Sequence, residues 1–482
     1  MQMFVKDKQF YRKVAGIAIP ISLQSMITIG VNLTDMIMVG KLGEVSTSAT
    51  SQANQFVNIF HICCMGLGMG ASVLTSRFWG MKDITSLKKS FTIMLRLMLG
   101  LALVFTALTV AIPDVILGIY TPDADVITEG LKYMKYMAPC FVLLGLSLTC
   151  TIVIRSVGEM KIPLFTSIGA FFINVFFNYI FIFGKLGAPK MGVAGAGLGT
   201  LIARSFETLV ICGYIFFVDK KVGYRIKDFF MKCGDMVGEY VRISLPVLIS
   251  DSLLAFGNSA VAIIMGKIGT EFVAANSITT VTQQLSTVLI QGICQAGCIV
   301  TGHTLGEGDA DKAQSQAVTF FWLGAIVGAI GGLIILVISG PVISFYDGFE
   351  QSTKDLAAEL MKSIALIVMF QSINSIMTKG VLRGGGDTKF LMVADILFLW
   401  ILSIPLGYLA GLEWKLDAFW IYFFLKIDQV VKAGWCVIRL KSRKWIKKIS
   451  GTSQVTEHPL MLEVKNDDVT ENPNMIEESE NA

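Results

Sequence analysis

Residues 20–43 read PISLQSMITIGVNLTDMIMVGKLG. The run is long and apolar enough to cross a bilayer, which takes about 20 helical residues, yet it carries Gln24, Thr28, Asn32 and Asp35. Spaced i, i+4, i+8 and i+11, these four fall within about 80° of one another on a helix and form one polar stripe. An aspartate inside a membrane helix costs roughly 2.5–3.5 kcal/mol on insertion scales. A chain keeps that cost only if the carboxylate faces something other than lipid. The same stretch then returns, because residues 246–269 read PVLISDSLLAFGNSAVAIIMGKIG. At one constant offset Pro20 matches Pro246, Asn32 matches Asn258, and Gly40-Lys41-Leu42-Gly43 matches Gly266-Lys267-Ile268-Gly269. The offset holds through Gly66 with Gly292, Gly80 with Gly306 and Asp83 with Asp309. It slips by two residues where Arg155-x-x-Gly-Glu-x-Lys meets Arg383-x-x-Gly-Asp-x-Lys. One unit is used twice.

The composition agrees, since 482 residues of which 54% are hydrophobic and 16% charged are too apolar for a soluble chain of this size. Reading along it gives twelve apolar runs, at about 14–39, 47–76, 90–112, 131–154, 163–183 and 192–217, then 242–265, 272–300, 316–344, 357–382, 389–411 and 416–438. The expected fold is therefore all-α and integral to a membrane, with twelve transmembrane helices in two six-helix lobes. An even number of spans per repeat inserts both halves in the same direction, which relates them by a pseudo-two-fold axis along the membrane normal. The expected organisation is an N-terminal lobe over 1–218, a basic linker over 219–241, a C-terminal lobe over 242–440 and a tail over 441–482. That tail turns from basic to acidic (NDDVTENPNMIEESENA), lacks apolar periodicity and reads as disordered. Most loop Lys and Arg lie on the side of the two termini, so the positive-inside rule places both termini in the cytoplasm of a multi-pass plasma- or inner-membrane protein.

Several function classes drop out. A net charge of +4 with no basic stripe leaves no case for nucleic acid. The nine cysteines form no metal or redox pattern, and His61, His303 and His458 assemble no triad or metal set. The Gly-rich loops 155–161 and 383–389 lack a Walker ending and a preceding strand. No cofactor and no catalytic residue is expected, and the chain does not read as an enzyme. The first apolar run ends in no small-residue cleavage site and is read as a retained helix.

What remains is a set of intramembrane polar groups. Asp35 either bonds a neighbouring helix or binds and releases a proton or Na⁺. The fifth run places Asn174 and Asn178 one turn apart, and the sixth places Ala196 and Thr200 at the same spacing in GVAGAGLGTLIAR. Two amides, a hydroxyl and a carboxylate make a plausible shell for a monovalent cation. Asp251 is either a substrate-facing charge or second protonation site or a structural group, and Asp395 is a weaker case of the same kind. Gln24, Asn32, Asn258 and Gln371 complete the candidates for substrate contact. Arg204 with Glu207 and Asp428 with Lys432 read as ion pairs within single helices. Pro20 and Pro246 sit inside helices, where each removes a backbone bond and allows a kink.

Together, the proline-bearing polar first helix ending in Asp-x-x-x-x-Gly-x-x-Gly, the Asn-x-x-x-Asn fifth helix, the Gly-Val-x-Gly-Ala sixth helix and the Arg-Gly-Gly-Gly-Asp-Thr-Lys loop resemble the multidrug and toxic compound extrusion (MATE) family over about residues 10–440. The resemblance implies a two-lobed antiporter that exports small amphiphilic, often cationic, organic compounds in exchange for H⁺ or Na⁺, and nothing in a two-lobed bundle demands a partner subunit, so a monomer is expected. It implies that Asp35 is the coupling residue and that Asn174, Asn178 and Thr200 complete its site. Many relatives carry an aspartate where Asn178 stands, so the coupling ion stays open between H⁺ and Na⁺. The tenth helix shows Gln371 and Asn374 where some relatives have acids, which puts coupling in the first lobe. The alternative function is a flippase for lipid-linked precursors, which asks for a strongly cationic cavity.

Overall fold

In the computed structural model, residues 4–344 and 350–447 are described; the tail expected to be disordered lies, from 448 onward, outside the described residues. Among the described residues the regular structure is all helical. The first lobe contains α1 (Lys8–Gly40), α2 (Glu44–Gly80), α3 (Ile84–Ala111), α4 (Ala124–Ser156), α5 (Lys161–Phe183) and α6 (Val193–Gly213, continued by a π-helical Tyr214–Val218). The second contains α7 (Gly234–Ile268), α8 (Thr270–Gly306), α9 (Ala310–Ser344), α10 (Gln351–Ser375, continued by a π-helical Ile376–Leu382), α11 (from Thr388–Ile396 to Leu409–Glu413) and α12 (Ala418–Leu425 and Ile427–Lys441). Among the described residues, α1 to α11 each contain a stretch long and apolar enough to cross a membrane. The twelfth helix is broken at Lys426, where φ is −124° and ψ 16°. A pseudo-two-fold axis along the membrane normal relates the lobes.

The helix ends follow the local sequence. Asp7, Asp83 and Asp309 cap α1, α3 and α9 by accepting from Gln9, Ser86 and Lys312 backbone N–H at 2.8, 3.0 and 2.8 Å. Asp83 and Asp309 are repeat-related, so the duplicated sequence keeps its stop-and-start signal. Several helices begin about six or seven residues earlier than their apolar runs, as α1 at Lys8, α3 at Ile84, α4 at Ala124, α9 at Ala310 and α10 at Gln351 do, because polar first turns extend them beyond the membrane core. The loop after α3 folds a short helix over Pro113–Gly118, begun by the proline at its first turn. α7 begins at Gly234 and not at 242, because the tail of the basic linker joins it; Ile226–Phe230 ahead of it forms a 3₁₀ turn.

The lobes meet along α1 with α8 and along α2 with α7 and α8. These crossings run on glycine. A Cβ on Gly70 would overlap Ser244 of α7, one on Gly292 the carbonyl of Ala18, and one on Gly306 the carbonyl of Arg77. Among the described residues, every hydrogen bond joining the lobes lies in the half nearer the chain termini. Ser22 Oγ donates to Val288 O at 3.3 Å, Tyr240 Oη to Leu67 O at 3.1 Å, and Arg77 Nη1 and Nη2 to Lys447 O and Gly385 O at 2.6 and 3.2 Å. His303, which takes the place of Arg77 in the second repeat, lies 2.6 Å through Nε2 from Ser156 O of the first lobe. Both lobes therefore close one end of the molecule with the same device, and α1 belongs to the seal as much as to its own lobe.

Candidate functional site

The polar stripe of α1 turns towards α4 and α5. Gln24 Nε2 donates to Ser167 Oγ at 2.7 Å, and its Oε1 accepts from Arg155 Nη2. Three turns on, Asp35 Oδ1 accepts from Asn178 Nδ2 at 2.6 Å, and the same amide donates to Asn174 Oδ1 at 3.2 Å. Asn174 and Asn178 are buried, whereas Asp35 is half-buried. Asn178 Oδ1 is buried with no hydrogen-bond partner. An unmet buried acceptor beside a carboxylate is costly unless something visits it.

The glycines of α6 create this geometry. A Cβ on Gly195 would press on the carbonyl of Phe181, and one on Gly199 would occupy the place of Asn178 Oδ1. Only bare backbone there lets α5 bring its amides down to Asp35. Among the described residues the Thr200 side chain makes no hydrogen bond. Gly199, one residue earlier and about 100° round the helix, takes the facing position. Arg204 lies within electrostatic reach of Asp35 and is itself held by Glu207 at 2.7 Å. Tyr133 Oη donates to Asn54 Oδ1 at 3.3 Å nearby. Ser167, Asn54 and Tyr133 were not among the sequence candidates, because nothing in their own spacing marks them; Arg155 was marked only by the repeated Arg-x-x-Gly motif.

The substrate candidates divide between the lobes. Asn32 is exposed and makes no side-chain hydrogen bond among the described residues. Asp251 pairs with Arg383 of the α10–α11 region at 3.2 Å, mirroring Gln24 with Arg155. Gln371 Oε1 accepts from Gln283 Nε2 at 3.1 Å, and Tyr422 Oη reaches Gln283 Oε1 at 3.4 Å. Asn258, exposed on α7, accepts from Lys426 Nζ at 3.2 Å. Pro20 and Pro246 lie within helices that stay continuous through them. Arg204 with Glu207 and Asp428 with Lys432 are ion pairs, at 2.7 and 3.2 Å, and Asp395 joins the second of them. Among the described residues no group of three or more His, Cys, Asp or Glu could hold a metal ion.

Comparison with known proteins agrees with this architecture. The MatE family model matches residues 20–180 and 246–409, once in each lobe. A probable multidrug resistance protein NorM of Idiomarina loihiensis is 24% identical over 469 residues, covering 93% of this chain and 98% of its own length. The uncharacterized transporter YisQ of Bacillus subtilis is 24% identical over 448 residues, covering 89% and 94%. A multidrug resistance MATE family transporter solved in an outward-facing conformation superposes with a TM-score of 0.81 at 19% identity, over 92% of this chain and 99% of that one. A MOP superfamily transporter from Pyrococcus furiosus gives 0.80 at 20% identity, over 92% and 99%. With a family model spanning both repeats and a bundle of membrane-length helices to match, this chain is a multi-pass membrane protein that belongs to the MatE family.

Proposed function

We propose that this protein is a cation-coupled antiporter that expels small amphiphilic, often cationic, organic compounds by alternating access, with Asp35 as the coupling group. The observation that carries this reading is the placement of Asp35. It is a carboxylate in a membrane helix, with one oxygen held by Asn178 and an unmet amide oxygen alongside. Intramembrane carboxylates of this kind mark ion pathways. Its relatives, a probable multidrug resistance protein and a multidrug resistance MATE family transporter, suggest the substrate class.

The geometry favours H⁺ as the coupling ion. A proton needs one carboxylate oxygen, which Asp35 offers. A Na⁺ ion needs several oxygens converging at once, but Asn178 turns its N–H to the carboxylate and its unmet oxygen towards Gly199, and the Asn174 oxygen already accepts one N–H. Protonation removes the charge that Asn178 holds and loosens α1 from α5. The first half of α1 packs on α8 of the opposite lobe, so a shift of α1 against α5 acts on the seal between the lobes. Each proton entering down a gradient supplies about 1.4 kcal/mol per pH unit and about 2.3 kcal/mol per 100 mV. In this reading the sealed end with both termini faces the cytoplasm, the membrane is the cell membrane, and a single chain among its lipids suffices.

The flippase alternative loses ground. It asks for a strongly cationic cavity, and while Arg155 and Lys426 meet only the amides of Gln24 and Asn258, Arg204, Arg383 and Lys432 each sit against a carboxylate. The test is ethidium efflux from proteoliposomes with pH and Na⁺ gradients imposed separately. Efflux driven by the pH gradient in the wild type and lost in Asp35→Asn supports the proposal. A wild type indifferent to both gradients, or a variant that pumps normally, refutes it.

A further inference from the structure

The second lobe holds a charged cluster that the reading centred on Asp35 does not use. Lys432 Nζ of α12 lies 2.8 Å from Asp395 Oδ1 of α11 and 3.2 Å from Asp428 Oδ2 of its own helix. All three residues are more than nine-tenths buried. Ser250 of α7 donates to Asp395 Oδ2. Ser403 of α11 donates to Asp428 Oδ1 at 3.1 Å, and Gln429 Nε2 donates to Asp428 Oδ2 at 2.6 Å. Two carboxylates share one ammonium, which leaves one formal negative charge in the core of a membrane lobe. Lys426 acts on Asp428 through space but forms no ion pair with it among the described residues, donating to Asn258 on α7 at 3.2 Å. The thiol of Cys436 lies a turn beyond Lys432, and Asp251 of α7 is already paired with Arg383.

The backbone around the cluster is irregular on both helices that carry it. A π-helical segment, Leu397–Ser403, opens two residues after Asp395, and α12 breaks at Lys426, two residues before Asp428. Ser403 bridges the two irregularities, since its Oγ lies 3.3 and 3.1 Å from Phe424 O and Leu425 O, which compete with Asp428 Oδ1 for its one proton, and accepts from Asp428 N–H at 3.2 Å. π segments and interrupted membrane helices accompany functional sites because their freed backbone groups can be satisfied in more than one way. A polar thread leads from the cluster towards the interior. Asp428 is bonded by Gln429, whose Oε1 accepts from Asn374 Nδ2 at 2.7 Å, and Asn374 Oδ1 is buried without a partner. A structural ion pair needs neither the surplus carboxylate nor that unmet acceptor.

We propose that Asp395, Asp428 and Lys432 form a second proton-binding site, in the C-terminal lobe and separate from Asp35. A metal cation does not fit, because the ammonium already stands between the carboxylates and the other oxygens take N–H and O–H donors. A proton adds to Asp395 Oδ2. The new O–H then donates to Ser250 Oγ, whose own hydroxyl proton turns to another acceptor, so the contact between α7 and α11 survives in both states. The surplus charge disappears, and Lys432 remains with Asp428 alone. The hold of α11 on α12 weakens at the π segment and the helix break. This deepens the antiporter reading by giving each lobe its own proton.

Infrared difference spectra of the purified full-length protein, recorded across a pH titration, test the site. The carboxylic C=O stretch reports protonated aspartates one by one. The expected result is a band lost in Asp395→Asn and retained in Asp35→Asn, with a second band behaving the opposite way. Ser250→Ala keeps the carboxyl but removes its hydrogen bond, so the band should survive and move to higher wavenumber; this variant serves if Asp395→Asn does not fold. Spectra of Asp395→Asn and Asp428→Asn that match the wild type overturn the inference, even if Asp35→Asn abolishes efflux. A band assigned to Asp395 in a protein whose Asp35→Asn variant pumps normally supports this site while refuting the role given to Asp35.

Discussion

Replacing Arg77 with alanine should unseal the terminus-side end of the molecule while leaving each lobe intact. Arg77 ends α2 fully buried, and its guanidinium bonds two carbonyls of the opposite lobe, Lys447 O at 2.6 Å and Gly385 O at 3.2 Å. Hydrogen bonds to charged groups are worth roughly 1.5–3 kcal/mol each, so the gross loss is about 3–6 kcal/mol. Part returns, because the variant no longer buries a guanidinium whose Nε finds no partner. A net loss of about 2–4 kcal/mol remains, and it falls only on the arrangement that brings the lobes together. At about 1.4 kcal/mol per tenfold, the balance between sealed and unsealed forms moves roughly 30- to 700-fold. Hydrogen–deuterium exchange reads this directly. Lys447 N–H bonds Gly385 O at 2.9 Å, and Asp387 N–H bonds Leu382 O at 3.2 Å, so amides over 383–387 and 443–447 should exchange at least tenfold faster. Amides within α4, over 133–154, should not change. Unchanged exchange at 383–387 would refute the reasoning, as would an equal rise throughout the chain.

Other substitutions probe single contacts. Asp251→Asn leaves Arg383 buried without its carboxylate, which should cost about 3–5 kcal/mol and lower the melting temperature; Asp251→Asn with Arg383→Met should recover part of the loss. Asn178→Asp places a second carboxylate on Asp35 and supplies the oxygens a monovalent cation lacks here, so dye efflux should become stimulated by a Na⁺ gradient. Outside the membrane, Asp228 clamps the linker through Lys88 at 2.9 Å. Burial works to raise the Asp228 carboxyl, but Lys88 and the backbone N–H of Arg225 outweigh it and hold the group below the usual carboxylate range. The clamp is therefore complete above that range and is lost as pH falls through the lowered value. Asp228→Asn should mimic this at neutral pH by speeding tryptic cleavage at Arg225 and Lys227.

Much of this architecture is legible in the sequence because the bilayer imposes it. Membrane-length apolar runs and a duplicated Pro–Asn–Gly-Lys-x-Gly unit follow from helix length and symmetry, and the Asp35 stripe follows from helical periodicity alone. The amides of Asn174 and Asn178 were legible for the same reason, since their spacing puts both on one face of α5. That Gly199 is the residue against Asn178 depends on how closely α5 and α6 approach, which no single helix records. The break at Lys426 is hidden by an apolar run that reads straight through it. The carboxylate–lysine cluster is hidden because Asp395 and Lys432 meet only across helices. Asp251 and Gln24 differ by one position in the repeat, yet both meet the repeat-related arginine of their own lobe. Duplication preserved the contact and not the register.

Proton release on substrate binding tests the central claim most directly. Ethidium is added to the purified protein in weakly buffered solution, and an indicator dye reports the protons set free. The account predicts release from the wild type and a smaller release from Asp35→Asn under the same saturation with ethidium. Equal release from the two proteins would mean that Asp35 exchanges no proton with substrate, and it would contradict the account.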